Sequence, residues 1–298
     1  GLLFGKVLRS PYAHAIIESI NIDKAMALDG VVSVVTSKDL PVSSISKPSR
    51  SLEMESDNIL ARGKVLYKGH AVAAVCASNS HIAEEALRLI EVKYKVLDPI
   101  IDVRKSMEKD SVLLHDDITT RELGQDSGIV SNIASHLRYE LGDVEKGFAE
   151  ADLIVEEEFD TSTVHQGYIE PHNATAFWNA DGHISVWCST QGSFTAREKI
   201  AKVLDVPVST VTVTPMEIGG GFGGKIPVYL EPIAAVLSKK SGSPVKMLMS
   251  RADCFESTGP TCGSYVRVKM GAKNPTVTPM MNRIFTNFLD SSYRRSLP

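Results

Sequence analysis

The sequence has no pair of cysteines at metal-binding spacing. Its four cysteines, Cys76, Cys188, Cys254 and Cys262, stand far apart and form no C-x-x-C. Iron–sulphur clusters and structural zinc draw on closer thiolate spacings, so neither is expected in this chain. Cys76 and Cys188 lie inside apolar runs and are expected as buried free thiols. Long hydrophobic runs are missing too. The strongest, 71–77 and 232–237, fall far short of the ~20 residues that cross a bilayer. No basic-then-apolar segment opens the chain, so no membrane association is expected and a cytoplasmic location follows as the default. There is no basic excess: 32 Lys and Arg face 36 Asp and Glu, for a net charge of −4. A general nucleic-acid surface is not expected from that balance.

What is present suffices for a substantial core, since 43% of the 298 residues are hydrophobic, and the length fits two domains. The pattern reads as α+β. Val-, Ile- and Leu-rich runs at 3–9, 16–20, 31–36, 71–77 and 90–97 predict strands, with helices at 23–28 and at 81–89, the latter capped by Ser80. The Pro- and Ser-rich stretch 41–64 predicts a long loop. Residues 102–135 carry little periodicity and predict a linker. Further strands are expected at 152–160, 174–178, 183–189, 211–214 and 245–249, with Asp181-Gly182 turning a hairpin. Helices are expected at 194–204, capped by Ser193, and at 228–240, with Pro227 at its first position. The run 264–272 reads as a strand in want of a return strand. The tail 274–298 departs in style from everything before it and reads as cut off.

The segment PMEIGGGFGGKI, residues 215–226, satisfies two nucleotide patterns at once. Gly219, Gly221 and Gly224 have the spacing of a dinucleotide fingerprint, and Gly219 to Lys225 that of a P-loop. A P-loop needs Ser or Thr after its lysine to ligate magnesium, and Ile226 supplies no oxygen. A dinucleotide fold needs an acidic residue about 20 positions on for the ribose, and 232–252 contains no Asp or Glu. The glycines retain their physical content: backbone that a bulky ligand can approach closely, with N–H groups to offer it. A tight structural turn is the alternative. The helix expected at 228–240 would direct its N-terminal N–H groups back toward this run. His165, Glu170 and His172 are three metal-ligand types close together, but Pro171 breaks a helix through them, and on a strand His165 faces away from the other two. No metal site is expected there.

Several segments together carry a resemblance: GKVLRSPYAHAIIESINIDKA at 5–25, GVVSVVTSKDLP at 30–41, VLYKGHAVAAVCA at 65–77, HQGYIEPHNATA at 165–176, STQGSF at 189–194 and IGGGFGGK at 218–225. In order and spacing they resemble the molybdopterin-binding large subunits of the xanthine dehydrogenase and aldehyde oxidase family, which includes carbon monoxide dehydrogenases. The resemblance implies an α/β hammerhead domain over 1–105, a linker over 106–136, the N-terminal part of a molybdopterin-binding domain over 137–273, and an atypical tail over 274–298.

It also implies a cofactor, molybdopterin with molybdenum, with the cytosine dinucleotide form among the alternatives. No iron–sulphur cluster or flavin is expected in this chain. Those groups would sit in partner subunits or domains, in an intact enzyme that forms a higher-order dimer and acts on a small molecule. Gln191 resembles the family glutamine that bonds an oxo ligand of molybdenum. Gly221, Phe222 and Gly223 resemble the loop that lines the metal centre. Lys225 either neutralises cofactor phosphate or pairs with a carboxylate.

The family's base glutamate lies several hundred residues beyond the glycine loop, whereas this chain ends at Pro298, so no catalytic residue and no protein metal ligand are assigned here. Purine-hydroxylating members carry a substrate-orienting glutamate where this chain has Ile226, which favours an aldehyde or an aromatic or N-heterocyclic substrate. A non-catalytic family fragment, and a nucleotide-binding or interaction protein, are the competing readings.

Overall fold

The structure, a computed structural model, describes residues 1–41 and 56–273. Most of the loop expected at 41–64, and the expected atypical tail, lie outside the described residues. Along the chain run β1 (Leu3–Arg9), β2 (Ala15–Asn21), β3 (Val31–Thr36), β4 (Lys64–Val65), β5 (Ala71–Ala77) and β6 (Glu91–Val96). They are followed by β7 (Thr119–Glu122), β8 (Gln125–Val130), β9 (Ser135–His136) and β10 (Leu153–Thr161). The series ends with β11 (Asn173–Trp178), β12 (Ile184–Cys188), β13 (Val211–Pro215), β14 (Val245–Leu248) and β15 (Ser264–Ala272).

Packing groups the described residues into two units, each built from two stretches of sequence: one within 1–106 and 165–260, the other within 107–164 and 261–273. The first unit is organised on a seven-stranded sheet of order β13-β12-β11-β14-β1-β5-β3. Its centre joins the two stretches, because β1 pairs in parallel with β14 through Leu3 with Val245 and Gly5 with Met247. A side chain at Gly5 would stand 2.7 Å from Met247 Cγ, so this close pairing requires glycine. Every residue of β5 is buried, as expected of a strand covered on both faces. Ala74 and Cys76 contribute to the core cluster shared with the helix Glu231–Ser241, while Ala73 and Val75 belong to a second cluster with Ala86 of the helix Ser80–Leu89. A smaller sheet of order β4-β2-β6 completes this unit.

The hairpin between β11 and β12 forms as expected around Asp181-Gly182: Gly182 has φ +90°, and Asp181 Oδ1 accepts from His183 N at 2.9 Å. Helix starts differ from expectation by local chemistry. Asn79, not Ser80, caps Ser80–Leu89 by accepting from His81 N and Ile82 N. Gly192 stands at the cap of Ser193–Leu204 with no side-chain bond. The helix expected at 228 begins at Glu231, with Pro232 rather than Pro227 in its first turn.

In the second unit, the weakly patterned stretch expected as a linker carries the small sheet β8-β7-β9. The strand 264–272 has its partner upstream rather than downstream. β15 pairs antiparallel with β10 in unbroken register from Leu153 with Ala272 to Thr161 with Ser264. Among the described residues, no helix is long and apolar enough to cross a membrane.

Candidate functional site

The glycine run lies wholly in the first unit, against the ends of β11 and β12. Gly224 N donates to Gly221 O at 2.8 Å, closing a turn whose central residues Phe222 and Gly223 both have positive φ, +51° and +87°. That is the signature of a type I′ turn, which favours Asn-Gly. A phenylalanine there is strained by about 1–3 kcal/mol, and it is 75% exposed, so no core contact holds it.

Three of the glycines are required by the protein's own side chains. A Cβ at Gly219 would lie 2.6 Å from Glu170 Cβ, at Gly221 2.5 Å from Gln191 Oε1, and at Gly224 2.8 Å from Tyr168 Cε1. Gly223 is different: nothing lies within 4 Å of the position its Cβ would take. The space the sequence suggested for a ligand is therefore taken at 219, 221 and 224 and open at 223.

Gln191 leaves β12 just ahead of the helix Ser193–Leu204. Its Oε1 accepts from Gly223 N at 2.9 Å and from Lys225 N at 3.2 Å. Two N–H donors on one atom identify that atom as the oxygen, so the NH2 group is turned the other way. That NH2 finds no acceptor among the described residues, and neither do the N–H groups of Gly220, Gly221 and Phe222. Gly223, expected in the loop that lines the metal centre, gives its own N–H to Gln191.

Lys225, the expected cation, turns inward. Its side chain is 0% exposed and its Nζ lies 2.7 Å from Glu170 Oε2 and 5.0 Å from the centre of the Tyr168 ring. Of the two partners weighed for it, the structure displays the carboxylate. Desolvation pushes Glu170 up, but hydrogen bonds from Lys225, Gly219 N and Asn173, with the Lys225 charge, outweigh it and hold the carboxyl below its usual range. Asn173 Nδ2 also reaches Ser189 Oγ at 3.0 Å, tying β11 to the end of β12.

The three expected non-ligands go to separate partners. His165 Nε2 lies 2.8 Å from Thr258 Oγ1, Glu170 meets Lys225, and His172 is buried edge-on to Tyr168 and Tyr229. Burial, reinforced by the Lys225 charge, lowers His172 to about 4, so it is neutral, and its Nε2 has no partner. Among the described residues no cluster of His, Cys, Asp or Glu could hold a metal. Arg251 fixes the backbone ahead of Glu170, donating to Tyr168 O at 2.7 Å and to Ile169 O.

At the start of the helix Glu231–Ser241, Glu231 is buried, its own Oε2 accepts from Tyr229 N at 2.9 Å, and its carboxyl also meets the backbone N–H groups of Leu230 and Glu231. Burial raises the Glu231 carboxyl, and Cys188 stands beside it. Cys76 and Cys188 are free and buried as expected, and Cys254 joins them, while Cys262 is exposed.

The site thus presents a row of uncharged N–H donors on a strained, glycine-defined loop, without a side chain to ligate metal. Such a donor set suits an oxygen-rich group that brings its own metal ligands, and a molybdopterin is of this kind. The sequence singles out Glu170 only as one of three metal-ligand types that form no site. Its ion pair, 55 residues away along the chain, left no periodic signal.

A family model described as the aldehyde oxidase and xanthine dehydrogenase a/b hammerhead domain matches residues 1–98. One described as the molybdopterin cofactor-binding domain matches residues 127–287. A probable xanthine dehydrogenase component of Bacillus subtilis is 33% identical over 272 residues, 91% of this chain and 34% of that protein. The carbon monoxide dehydrogenase large chain of Afipia carboxidovorans is 33% identical over 264 residues, covering 87% and 32%. The crystal structure of a Cu,Mo carbon monoxide dehydrogenase superposes with a TM-score of 0.76 at 29% identity, over 92% of this chain and 35% of the other. This chain spans about a third of the length of these relatives. With both characteristic domains matched in order, the chain belongs to the molybdopterin-binding large-subunit family of xanthine dehydrogenases, aldehyde oxidases and carbon monoxide dehydrogenases.

Proposed function

We propose that this chain supplies the hammerhead region and one wall of the cofactor site in a molybdenum-dependent oxidoreductase. The observation that carries the reading is the set of unpaired donors on Gly220, Gly221, Phe222 and Gln191. When bound, molybdopterin supplies the metal centre for hydroxylating a small molecule and passing on its electrons.

The chain's own residues perform five tasks. Gln191, held by two backbone bonds at its oxygen, aims its NH2 at an oxygen of the metal centre without adding charge. The N–H groups of Gly221 and Phe222 give preorganised dipoles, stronger where water is excluded. Gly223 leaves its flank open while its N–H locks Gln191. Lys225 serves the cofactor from behind the loop, by fixing loop position. Ile226 places hydrocarbon next to the loop, which supports an aldehyde or an aromatic or N-heterocyclic substrate over one needing a carboxylate partner.

In the same reading, electrons leave through iron–sulphur and FAD groups in partner subunits or domains, within a dimeric assembly. The cofactor is a molybdopterin, with the cytosine dinucleotide form as the specific proposal.

Metal and pterin analysis of the purified full-length gene product tests the reading. Molybdenum and a pterin are expected together, with dye reduction by aldehydes or N-heterocycles. Gln191→Ala is expected to lower turnover and leave the circular dichroism spectrum unchanged. A product with neither metal nor pterin, inert to those substrates, would sink the proposal.

A further inference from the structure

The cofactor-facing donors do not include Glu170, yet this carboxylate touches both ends of the loop that carries them. Its Oε2 accepts from Gly219 N at 2.8 Å, where the run begins, and from Lys225 Nζ at 2.7 Å, where it ends. Its Oε1 accepts from Asn173 Nδ2 at 3.0 Å. Glu170 N in turn donates to Gly219 O at 3.0 Å, so residue 170 holds Gly219 by both of its backbone polar groups.

The loop between these ties is costly to form, with positive φ at Gly220, Phe222 and Gly223. A bulky residue in that region persists only where its surroundings over-determine it. The surroundings that tie it are Gln191 at the tip and Glu170 at the base, with Tyr168 packed against Gly220 and Gly224, and with Gln191 N and Thr190 Oγ1 donating to Lys225 O. The Lys225 side chain, wholly buried, has Glu170 as its ion-pair partner.

We propose that Glu170 is a positioning residue, which draws the two ends of the glycine loop onto one carboxylate and so fixes the direction of the N–H groups at 220–222. Both the carboxylate charge and its reach are needed. Glutamine keeps an acceptor for Gly219 but leaves the Lys225 ammonium buried without a counter-charge. Aspartate keeps the charge but is one methylene shorter. The functional meaning of this clamp rests on the cofactor reading above; its mechanical content does not.

Hydrogen exchange read by mass spectrometry separates the two, in the full-length gene product as purified and after cofactor removal. In Glu170→Gln, exchange across 216–226 is expected to rise about tenfold or more, while peptides of β5 and of the helix Glu231–Ser241 keep their rates. Glu170→Asp is expected to recover part of the protection, and pterin content is expected to fall in step with loop exchange across the series. Raised loop exchange with unchanged pterin content supports the clamp and overturns the loop's cofactor role. Unchanged loop exchange in Glu170→Gln and Glu170→Ala overturns the clamp, as does a uniform rise over the whole unit. If Glu170→Ala does not fold, the glutamine variant alone decides.

Discussion

The two units use the same strand vocabulary with opposite economies of burial. In the first, β5 is buried throughout and the helix Glu231–Ser241 is buried from Glu231 to Ser238. In the second, Thr120 is the one buried residue among those described. The β10–β15 ribbon has nine residue pairs in register but leaves Ile154, Val266 and Met270 exposed. Its Arg267 pairs with Glu156 at the surface, and exposed pairs of this kind add little. Phe148 lies against Gly271 and Lys269 of the ribbon, but a two-stranded ribbon with no fully buried side chain is marginal in water. The difference teaches that backbone pairing gives the second unit its shape, whereas the first has a core able to hold a strained loop in place.

The sharpest attack on this contrast is a pair of truncations. Leu237→Ala, at a fully buried position, is expected to cost about 2–5 kcal/mol in denaturant unfolding, and Val266→Ala in the ribbon under about 1 kcal/mol. Equal costs would break the comparison.

Acid provides the next largest effect. His172 and His70 are both lowered to about 4, by burial above all. Between that value and their ordinary pKa the unfolded chain binds protons that the folded chain refuses, so stability must fall as pH drops from 6.5 towards 4. The loss is expected to reach roughly 3–5 kcal/mol for the two together by pH 4.5. Glu170 acts lower: its depressed carboxyl contributes fully above its ordinary value and is lost as pH falls through the folded one. Thermal melts from pH 7 to 4 check the sum. A His172→Gln variant whose melting temperature depends on pH as the parent's does would remove that histidine from the account.

Gly221→Ala comes third, because its new Cβ meets Gln191 Oε1 at 2.5 Å. It is expected to cost about 1–3 kcal/mol and to release pterin. Gly182→Ala, in a hairpin turn with nothing within 4 Å, is expected to pay for its positive φ alone and to keep the pterin, as a chromatographic pterin assay would read. The smallest effect is Tyr265→Ser, half-exposed in the ribbon, within about 0.5 kcal/mol of the parent.

Much of the first unit was legible because its signals are local. β1, β3 and β5 fall on their apolar runs, and Asp181-Gly182 announces its hairpin. The glycine loop stands out by its own composition, whereas Gln191 and the loop's cofactor role come through resemblance, which carries spacing that periodicity lacks. The misses are long-range. Nothing near residue 264 says that its partner strand lies at 153–161, and nothing near Lys225 says that its counter-ion is Glu170. The helix start was misplaced for a subtler reason. Pro227 and Pro232 both suit a first turn, and only the buried Glu231, bonding back to Tyr229 N, decides between them.

The parallel contact of β1 with β14 has a consequence in time. The first strand of the large sheet can pair with β5 once residue 77 has been made, but its other edge waits for residue 245. At about 5–20 residues per second, a ribosome leaves that edge open for roughly ten to fifty seconds. Open edges recruit other chains. A nascent chain of this design therefore has reason to meet a chaperone before it meets a cofactor.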